Sequence, residues 1–169
     1  QGIDFLGVVR AVIINIKNYG GTRRKVGAST ITQQVAKNFL LTNEVSWDRK
    51  VKEAILAFRM ERAFTKDRIL ELYLNEIYLG YGSYGVATAA LNYFDKPLSE
   101  LSIAEVAYLA ALPKAPNNYH PVRKHEAALA RRNWVIGRML EDGVITTDDA
   151  NLAKAEPLST RKRSETQFV

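Results

Sequence analysis

The segment 27-GASTITQQ-34 places a serine, two threonines and two glutamines at the start of a helical pattern. It offers many hydrogen-bonding side chains but neither an acid nor a base. A Ser or Thr oxygen is well suited to accept from the N–H groups that a first helical turn leaves unpaired. We therefore expect a helix to begin near Ser29 or Thr30 and to run to Leu41.

The helical period continues on both sides of this segment. The clearest helix start is 101-LSIAEV-106, where Ser102 and Glu105 have the spacing of a capping box. A proline-rich segment, 112-LPKAPNNYHP-121, ends that helix, and Gly143 ends a longer one. The other helices are predicted over 3–18, 46–64, 65–79, 85–94 and 123–141, with a last one from about 146. No strand pattern or repeat is found, so the sequence predicts an all-α fold.

The 169 residues are 47% hydrophobic and 25% charged, which is typical of one globular domain with a substantial core. The chain has no cysteine, which excludes disulfides and thiolate chemistry. A net charge of +6 favours an anionic partner such as nucleic acid, an acidic membrane surface or a phosphorylated substrate. The alternative is a set of solvated lysines on helix faces. No apolar run is long enough to span a bilayer, and both ends read as cut from a longer protein.

Motifs of several common site types are missing. The sequence contains no HExxH and no Cys/His cluster, so no transition-metal site is indicated. It also contains no GxSxG and no phosphate-cradling P-loop, which leaves nucleophilic hydrolysis and nucleotide hydrolysis weakly supported.

The first candidate site is the start of the helix that follows Gly27. Gln33 and Lys37 lie four residues apart on one face, with Gln34 beside them. The free N–H groups and positive dipole end of the helix favour an anion. Amide side chains can both donate to and accept from sugar hydroxyls. The alternative is an ordinary N-cap followed by a polar helix face.

The second candidate is 49-RKVKE-53. Glu53 lies among Arg49, Lys50 and Lys52, so one carboxylate stands within an excess of positive charge, an arrangement that suits a diphosphate. The alternative is a surface salt bridge between Arg49 and Glu53, which are four residues apart.

Two further polar clusters interrupt apolar helical patterns. Glu71 and Asn75 lie four apart within 66-KDRILELYLNEIYLG-80, and such a pair is more often a buried structural hydrogen bond than a catalytic one. In 131-RRNWVIGRM-139, Arg131 or Arg132 could hold an anion through two parallel hydrogen bonds, or both could be solvated.

The order of these four motifs resembles the peptidoglycan glycosyltransferase (transglycosylase) domain of class A penicillin-binding proteins and of monofunctional cell-wall transglycosylases. The family forms are close to GGSTITQQ, RKxxE, KxxILExYLN and RRxxVLxxM. Three positions depart from the family: Ala28 stands for Gly, Ile136 stands for Leu, and Val45 stands where many relatives carry a basic residue. An earlier family motif, close to EDxxFxxHxGxD, matches here only through Gly2 and Asp4 of 1-QGID-4. Its glutamate, the first catalytic carboxylate of the family, would precede Gln1.

The resemblance implies a lysozyme-like helical head with a small membrane-associated jaw subdomain. It implies that residues 1–150 form the glycosyltransferase domain, truncated within its first motif, and that 151–169 begin a linker toward a transpeptidase domain. The segments 1–18 and 39–47 are candidates for bilayer contact, with burial in the core as the alternative.

The implied reaction joins lipid II units into glycan strands, with inversion at the anomeric carbon and release of undecaprenyl diphosphate. The resemblance makes Glu53 the second catalytic carboxylate, which would orient cations, bind a divalent ion such as Mg or Mn at the diphosphate, or assist departure. No cofactor is otherwise required. The implied substrate-binding residues, by motif, are Ser29, Thr30, Gln33, Gln34, Lys37, Arg49, Lys52 and Arg131.

The implied partners are lipid II, the growing strand, the membrane surface and a transpeptidase domain in the same chain. The implied location is the periplasmic face of the bacterial inner membrane. Three alternatives stay open. A catalytically inactive lipid II-binding scaffold is one, and a helical nucleic-acid-binding module, which would give no reason for STITQQ, is another. The third is a lysozyme-like hydrolase, for which Glu53 among cations is a poor acid.

Overall fold

The structure, a computed structural model, describes residues 29–39 and 47–161. Across these residues it is helical and contains no strand, only an isolated antiparallel bridge between Tyr78 and Tyr84. The all-α prediction is confirmed for this part of the chain. The predicted helix over 3–18 and the loop that follows it lie outside the described residues. The chain divides into two compact units, with the boundary after Glu76.

The first unit contains three described helices: α1 (Ile31–Phe39), α2 (Trp47–Ala63) and α3 (Lys66–Glu76). Helix α1 packs against both of the others. Small residues allow this close approach, since Ala36 of α1 and Ala57 of α2 are both fully buried. A side-chain hydrogen bond of 2.9 Å from Thr32 Oγ1 to Glu61 Oε1 ties α1 to α2. The buried apolar residues of this core are Val35, Ala36, Ala57, Met60 and Ile69.

Two expectations for α3 were wrong in detail. The helix ends at Glu76 rather than at residue 79. Leu70 and Leu74, which the apolar pattern places inside, are exposed. The physical reason is that a helix packed on few neighbours buries a narrow stripe, which in α3 contains Ile69. The predicted start is confirmed, because Thr65 Oγ1 accepts from Arg68 N at 3.2 Å.

The second unit contains four described α-helices and three short 3₁₀ turns. The helices are α4 (Val86–Phe94), α5 (Ile103–Ala111), α6 (His125–Glu141) and α7 (Thr147–Ala155). The 3₁₀ turns span Leu98–Glu100, Leu112–Lys114 and Pro116–Asn118, where prolines prevent a longer helix. Helix α5 packs on α4, α6 and α7 and is therefore the central helix of this unit.

The core of the second unit is aromatic on one side of α5. Tyr93, Phe94 and Tyr108 form edge-to-face and tilted contacts with ring centroids 5.6–6.3 Å apart. Both buried hydroxyls have partners: Tyr93 donates to the carbonyl of Leu79 at 2.9 Å and Tyr108 to that of Tyr119 at 2.8 Å. Burial raises the pKa of Tyr93 to about 12, so this hydroxyl stays a donor at neutral pH.

The helix ends in this unit follow local sequence signals. Ser102 and Glu105 form the predicted capping box at α5, and Thr146 with Asp149 forms a second one at α7. Gly143 has a positive φ of 71° after α6, and its N–H donates to the carbonyl of Leu140 at 3.0 Å. The predicted starts of α5 and α7 and the predicted end of α6 are therefore confirmed, whereas α6 begins at His125 rather than at residue 123.

The described chain continues beyond residue 150 in contact with the second unit. Residue 150 lies inside α7, Leu158 is buried in the aromatic core, and Arg161 N donates to the carbonyl of Tyr93 at 3.0 Å. The assignment of 151–169 as the start of a linker stays a prediction. Within the ranges that are described, no helix is both long and apolar enough to cross a bilayer.

Replacing Gly80 by alanine is expected to destabilise the second unit by about 2 kcal/mol. Gly80 has a φ of 84°, and an added Cβ would lie 2.8 Å from Tyr93 Oη and 3.0 Å from Pro116 Cβ. The clash would disturb the bond from Tyr93 to Leu79. Gly82→Ala is the matched control, because Gly82 has a similar φ of 67° but open space around it. Urea denaturation measures both; equal losses would show that backbone strain alone matters at Gly80.

Candidate functional site

The second predicted motif forms a buried ion cluster on α2. The Glu53 side chain is 1% exposed, and each of its carboxylate oxygens meets a cation. Arg49 Nη1 pairs with Oε1, and Lys50 Nζ lies 2.7 Å from Oε2. A carboxylate this deeply buried is costly unless it is paired, so the cluster exists as a unit. The surface salt-bridge alternative fails for this motif, since Glu53 is almost fully removed from solvent.

Lys50 links this cluster to the first motif. Its Nζ also contacts Ser29 Oγ at 3.0 Å, just before α1. The Lys50 side chain is half exposed, so one cation touches both a buried carboxylate and an outward-facing hydroxyl. Lys50 is absent from the substrate-binding set predicted from the sequence. The spacing to Glu53 could have identified Lys50 from the sequence, because residues three positions apart lie on the same face of a helix.

Thr30 and Gln33 form a reciprocal cap at the start of α1. Thr30 Oγ1 accepts from Gln33 N at 3.2 Å, and Gln33 Oε1 accepts from Thr30 N at 3.1 Å. This is a capping box with Gln at its third helical position. The cap therefore occupies the Gln33 carbonyl oxygen. Substrate binding by Thr30 and Gln33 stays a prediction.

The other predicted residues of the first unit face outward to different degrees. Gln34 is half-buried, whereas Lys37 and Lys52 are exposed. Lys52 adjoins Glu53 in sequence, and neighbouring residues on a helix point in different directions. The ion pairs of Glu53 accordingly run to Arg49 and Lys50. Lys37 and Lys52 add positive charge at the surface of the unit, and their contact with substrate stays a prediction.

The described residues do not fit a divalent ion held by Glu53. Magnesium and manganese prefer several oxygen ligands, usually carboxylates and water. Both oxygens of Glu53 already pair with cations. Within 29–39 and 47–161 no group of three or more potential metal ligands occurs. We therefore derive no chemical step through a metal at this position.

The two adjacent arginines of the fourth motif have different surroundings. Arg132 is buried and donates to the carbonyls of Glu156 and Lys154 at 2.7 and 3.2 Å, and to Asn133 Oδ1 at 3.0 and 3.1 Å. Arg132 therefore has a structural role, because its hydrogen bonds hold the C-terminal end of α7 against α6. Arg131 is half-buried, and its guanidinium lies 3.9 Å from the centroid of the Trp134 ring. Of the two arginines, only Arg131 is accessible enough to bind an anion from solvent.

The third motif contains no buried polar pair. Glu71 is exposed and pairs with Arg68 at 2.6 Å, and Asn75 is exposed as well. The expectation of a buried hydrogen bond between Glu71 and Asn75 is therefore wrong. Exposed pairs of this kind contribute little to stability.

A second cluster of polar and aromatic side chains lies within the second unit. It lines a cavity of about 190 Å³ formed by Tyr81, Asn92, Tyr93, His120, Pro121, Val122, Thr160 and Arg161. The Tyr81 ring contacts the rings of Tyr93 and His120, with centroid distances of 5.6 and 5.7 Å. No motif of the sequence pointed to this cavity, because its residues come from four distant stretches of the chain.

His120 is expected to titrate below the usual histidine range. Burial lowers its pKa, and the positive charge of Arg123 lowers it further. Its Nδ1 accepts from the N–H groups of Val122 and Arg123, both at 3.2 Å, and protonation would end both bonds. Because the folded pKa lies below the unfolded value, His120 contributes stability at neutral pH that is lost as the pH falls. An NMR titration of the His120 ring protons measures this, and a midpoint at or above 6.5 would contradict it.

Comparison with known proteins identifies the family. The family model for transglycosylases matches residues 1–140. Penicillin-binding protein 1A of Rickettsia bellii is 58% identical over the whole chain, and that of Aquifex aeolicus is 52% identical over 99% of it. The chain spans only 21% and 23% of the lengths of those two relatives.

The fold comparison agrees. The 2.6 Å crystal structure of penicillin-binding protein 1A from Haemophilus influenzae matches 84% of this chain and 18% of that one, with 34% identity and a TM-score of 0.53. This match bears out the lysozyme-like all-α class, whereas the membrane-associated jaw stays a prediction. The buried cluster around Glu53 thus lies within the 1–140 match, and the chain belongs to the transglycosylase family in the form found in class A penicillin-binding proteins.

Proposed function

We propose that this chain is a peptidoglycan glycosyltransferase that polymerises lipid II in bacterial cell-wall synthesis. The observation that carries the proposal is the buried Glu53 with Arg49 and Lys50 on its two oxygens, together with the contact from Lys50 to Ser29. This cluster unites two of the four motifs that the chain shares with its family. Membership in that family supports the reaction class.

In the proposed step, the 4-hydroxyl of one saccharide unit attacks the anomeric carbon of the growing strand. A new C–O bond forms, the bond to the diphosphate oxygen breaks, and the anomeric centre inverts. The proton of the hydroxyl passes to a general base, which we assign to the glutamate of the family's earlier motif, N-terminal to Gln1. Undecaprenyl diphosphate departs as an anion.

The departing diphosphate needs charge stabilisation more than it needs a proton. Arg49 and Lys50 supply two positive charges against the one negative charge of Glu53. A pre-oriented cation at low local dielectric stabilises developing negative charge without reorganisation. A carboxylate whose two oxygens both meet cations suits the positioning of those cations rather than acid catalysis. We therefore assign Glu53 the role of holding Arg49 and Lys50 toward the diphosphate.

The remaining assignments rest on the family and on exposure. Ser29, Gln34, Lys37 and Lys52 would contact sugar and diphosphate oxygens, and Arg131 would hold a further anionic group. The net charge of +6 favours contact with a membrane that contains anionic lipids. We place the domain at the outer face of the bacterial inner membrane. A transpeptidase domain in the same protein would account for the length of the relatives.

Polymerisation of labelled lipid II tests the proposal. The protein, with the flanking sequence of its native reading frame, is incubated with lipid II in detergent, and products are separated by gel electrophoresis. The expected result is glycan strands that a muramidase cleaves, with one undecaprenyl diphosphate released for each linkage. Binding of lipid II without polymer would favour an inactive scaffold. Binding of DNA or RNA that weakens steeply with rising salt concentration, without binding of lipid II, would favour the nucleic-acid-binding module.

A further inference from the structure

We propose that the cavity beside Tyr81 in the second unit binds the C-terminal carboxylate of a short peptide. The inference rests on residues outside the four family motifs and goes beyond glycosyl transfer. The cavity, at about 190 Å³, is smaller than the pockets of roughly 300–1,000 Å³ that enclose drug-sized ligands. It therefore suits an end group of a larger molecule.

The charged and donor groups of the cavity point to an anion. Arg161 and Thr160 line it, and no carboxylate is among the described residues that do. The Arg161 backbone is fixed by its N–H bond to the carbonyl of Tyr93, whereas its side chain is exposed. An Arg guanidinium can bind a carboxylate through two parallel hydrogen bonds.

His120 adds a directed neutral donor. Its Nδ1 accepts from two backbone N–H groups, so the proton of the neutral ring is on Nε2. The lowered pKa of His120 favours the neutral ring at neutral pH. The ring is also held against Tyr81 at 5.7 Å, which limits its motion. His120 and Arg161 thus both line the cavity, and each carries a hydrogen-bond donor.

Asn92 and the apolar wall extend the match from a carboxylate to a peptide end. The Asn92 amide donates to Ser83 Oγ at 3.0 Å, which leaves its Oδ1 as an acceptor for a peptide N–H. Tyr81, Pro121 and Val122 provide an apolar surface for a small side chain. Tyr81 is held in a left-handed conformation with a φ of 56°, an uncommon conformation for a bulky residue that presents its ring at the cavity. The last residue of a peptide carries all three groups that the cavity could bind, namely a carboxylate, an amide N–H and a small side chain.

Titration with N-acetyl-alanyl-alanine tests the proposal. The probe is added to the protein, and NMR follows the ring signals of His120 and Tyr81. The free acid is expected to shift these signals, and the C-terminal amide of the same peptide is expected to bind at least tenfold more weakly. Equal binding of acid and amide, or no shift with the acid, would overturn the proposal.

Two variants and two stereoisomers sharpen the test. Arg161→Met is expected to weaken binding of the acid roughly tenfold or more, while Lys124→Met, an equal charge change outside the cavity lining, leaves it unchanged. Equal loss in both variants would indicate general electrostatic attraction and would overturn the site.

Tighter binding of the D,D peptide would identify a cell-wall peptide as the source, and tighter binding of the L,L peptide would identify a ribosomally made peptide. Acetate that binds as tightly as either peptide would overturn the peptide part of the proposal. Binding and polymerisation are measured separately, so failure of one leaves the other intact.

Discussion

Glu53→Gln is expected to reduce lipid II polymerisation by roughly 10²–10³-fold or more. The substitution keeps the size of the side chain and one oxygen acceptor, but it removes the negative charge that holds Arg49 and Lys50. These cations then lose their common orientation toward the diphosphate. The rate of strand formation with labelled lipid II measures the effect.

Glu76→Gln is the matched control for this substitution. Glu76 is exposed on α3, lies in the same unit and undergoes the same change of charge. Its polymerisation rate should equal that of the parent. Circular dichroism and thermal unfolding of both variants separate loss of activity from loss of fold, which matters because Glu53 is buried. An active Glu53→Gln variant would contradict the role assigned to this carboxylate.

Arg132→Met is expected to lower the free energy of unfolding by about 3–5 kcal/mol. The change keeps much of the side-chain length but leaves the carbonyls of Lys154 and Glu156 without their donor. Those carbonyls lie at the end of α7, where no intrahelical N–H is available for them. Leaving a part-buried carbonyl without its donor costs up to about 1–3 kcal/mol, and two carbonyls are involved.

Arg138→Met on the same helix is the control for Arg132→Met. Arg138 is half exposed and pairs with Glu141 and Asp142 at the surface, so its loss should cost less than about 1 kcal/mol. The chain has two tryptophans, and a Trp47→Phe background leaves Trp134 as the reporter of α6 during urea denaturation. Equal losses in the two variants would show that Arg132 is no more than a surface cation.

Local signals in the sequence predicted helix ends well. The capping box at Ser102, the helix start near Ser29 or Thr30 and the stop at Gly143 depend on a few neighbouring residues, which a sequence displays directly. Burial was harder to predict. Leu70 and Leu74 belong to an apolar pattern but lie exposed, because the neighbours of a helix decide how wide a face it buries.

The site was predicted as a set of motifs rather than as a set of contacts. The sequence identified Glu53 and Arg49, yet Lys50 rather than Lys52 forms the second ion pair, since helical geometry places the third residue back beside Glu53. Arg131 and Arg132 are the same residue type in adjacent positions, but their surroundings differ. The spacing from Arg131 to Trp134 is a local signal for their stacking, whereas the two backbone carbonyls that Arg132 binds lie more than twenty residues away.

The most direct measurement compares lipid II binding with glycosyl transfer in the parent and in Glu53→Gln. Binding is measured at equilibrium, and transfer is measured from undecaprenyl diphosphate released in a single turnover. If Glu53 orients Arg49 and Lys50 for departure of the diphosphate, the variant binds lipid II at least as well as the parent, because net positive charge rises, while transfer falls by roughly 10²–10³-fold. Transfer at the parental rate, or a loss of binding that accounts for the whole loss of transfer, would contradict that role.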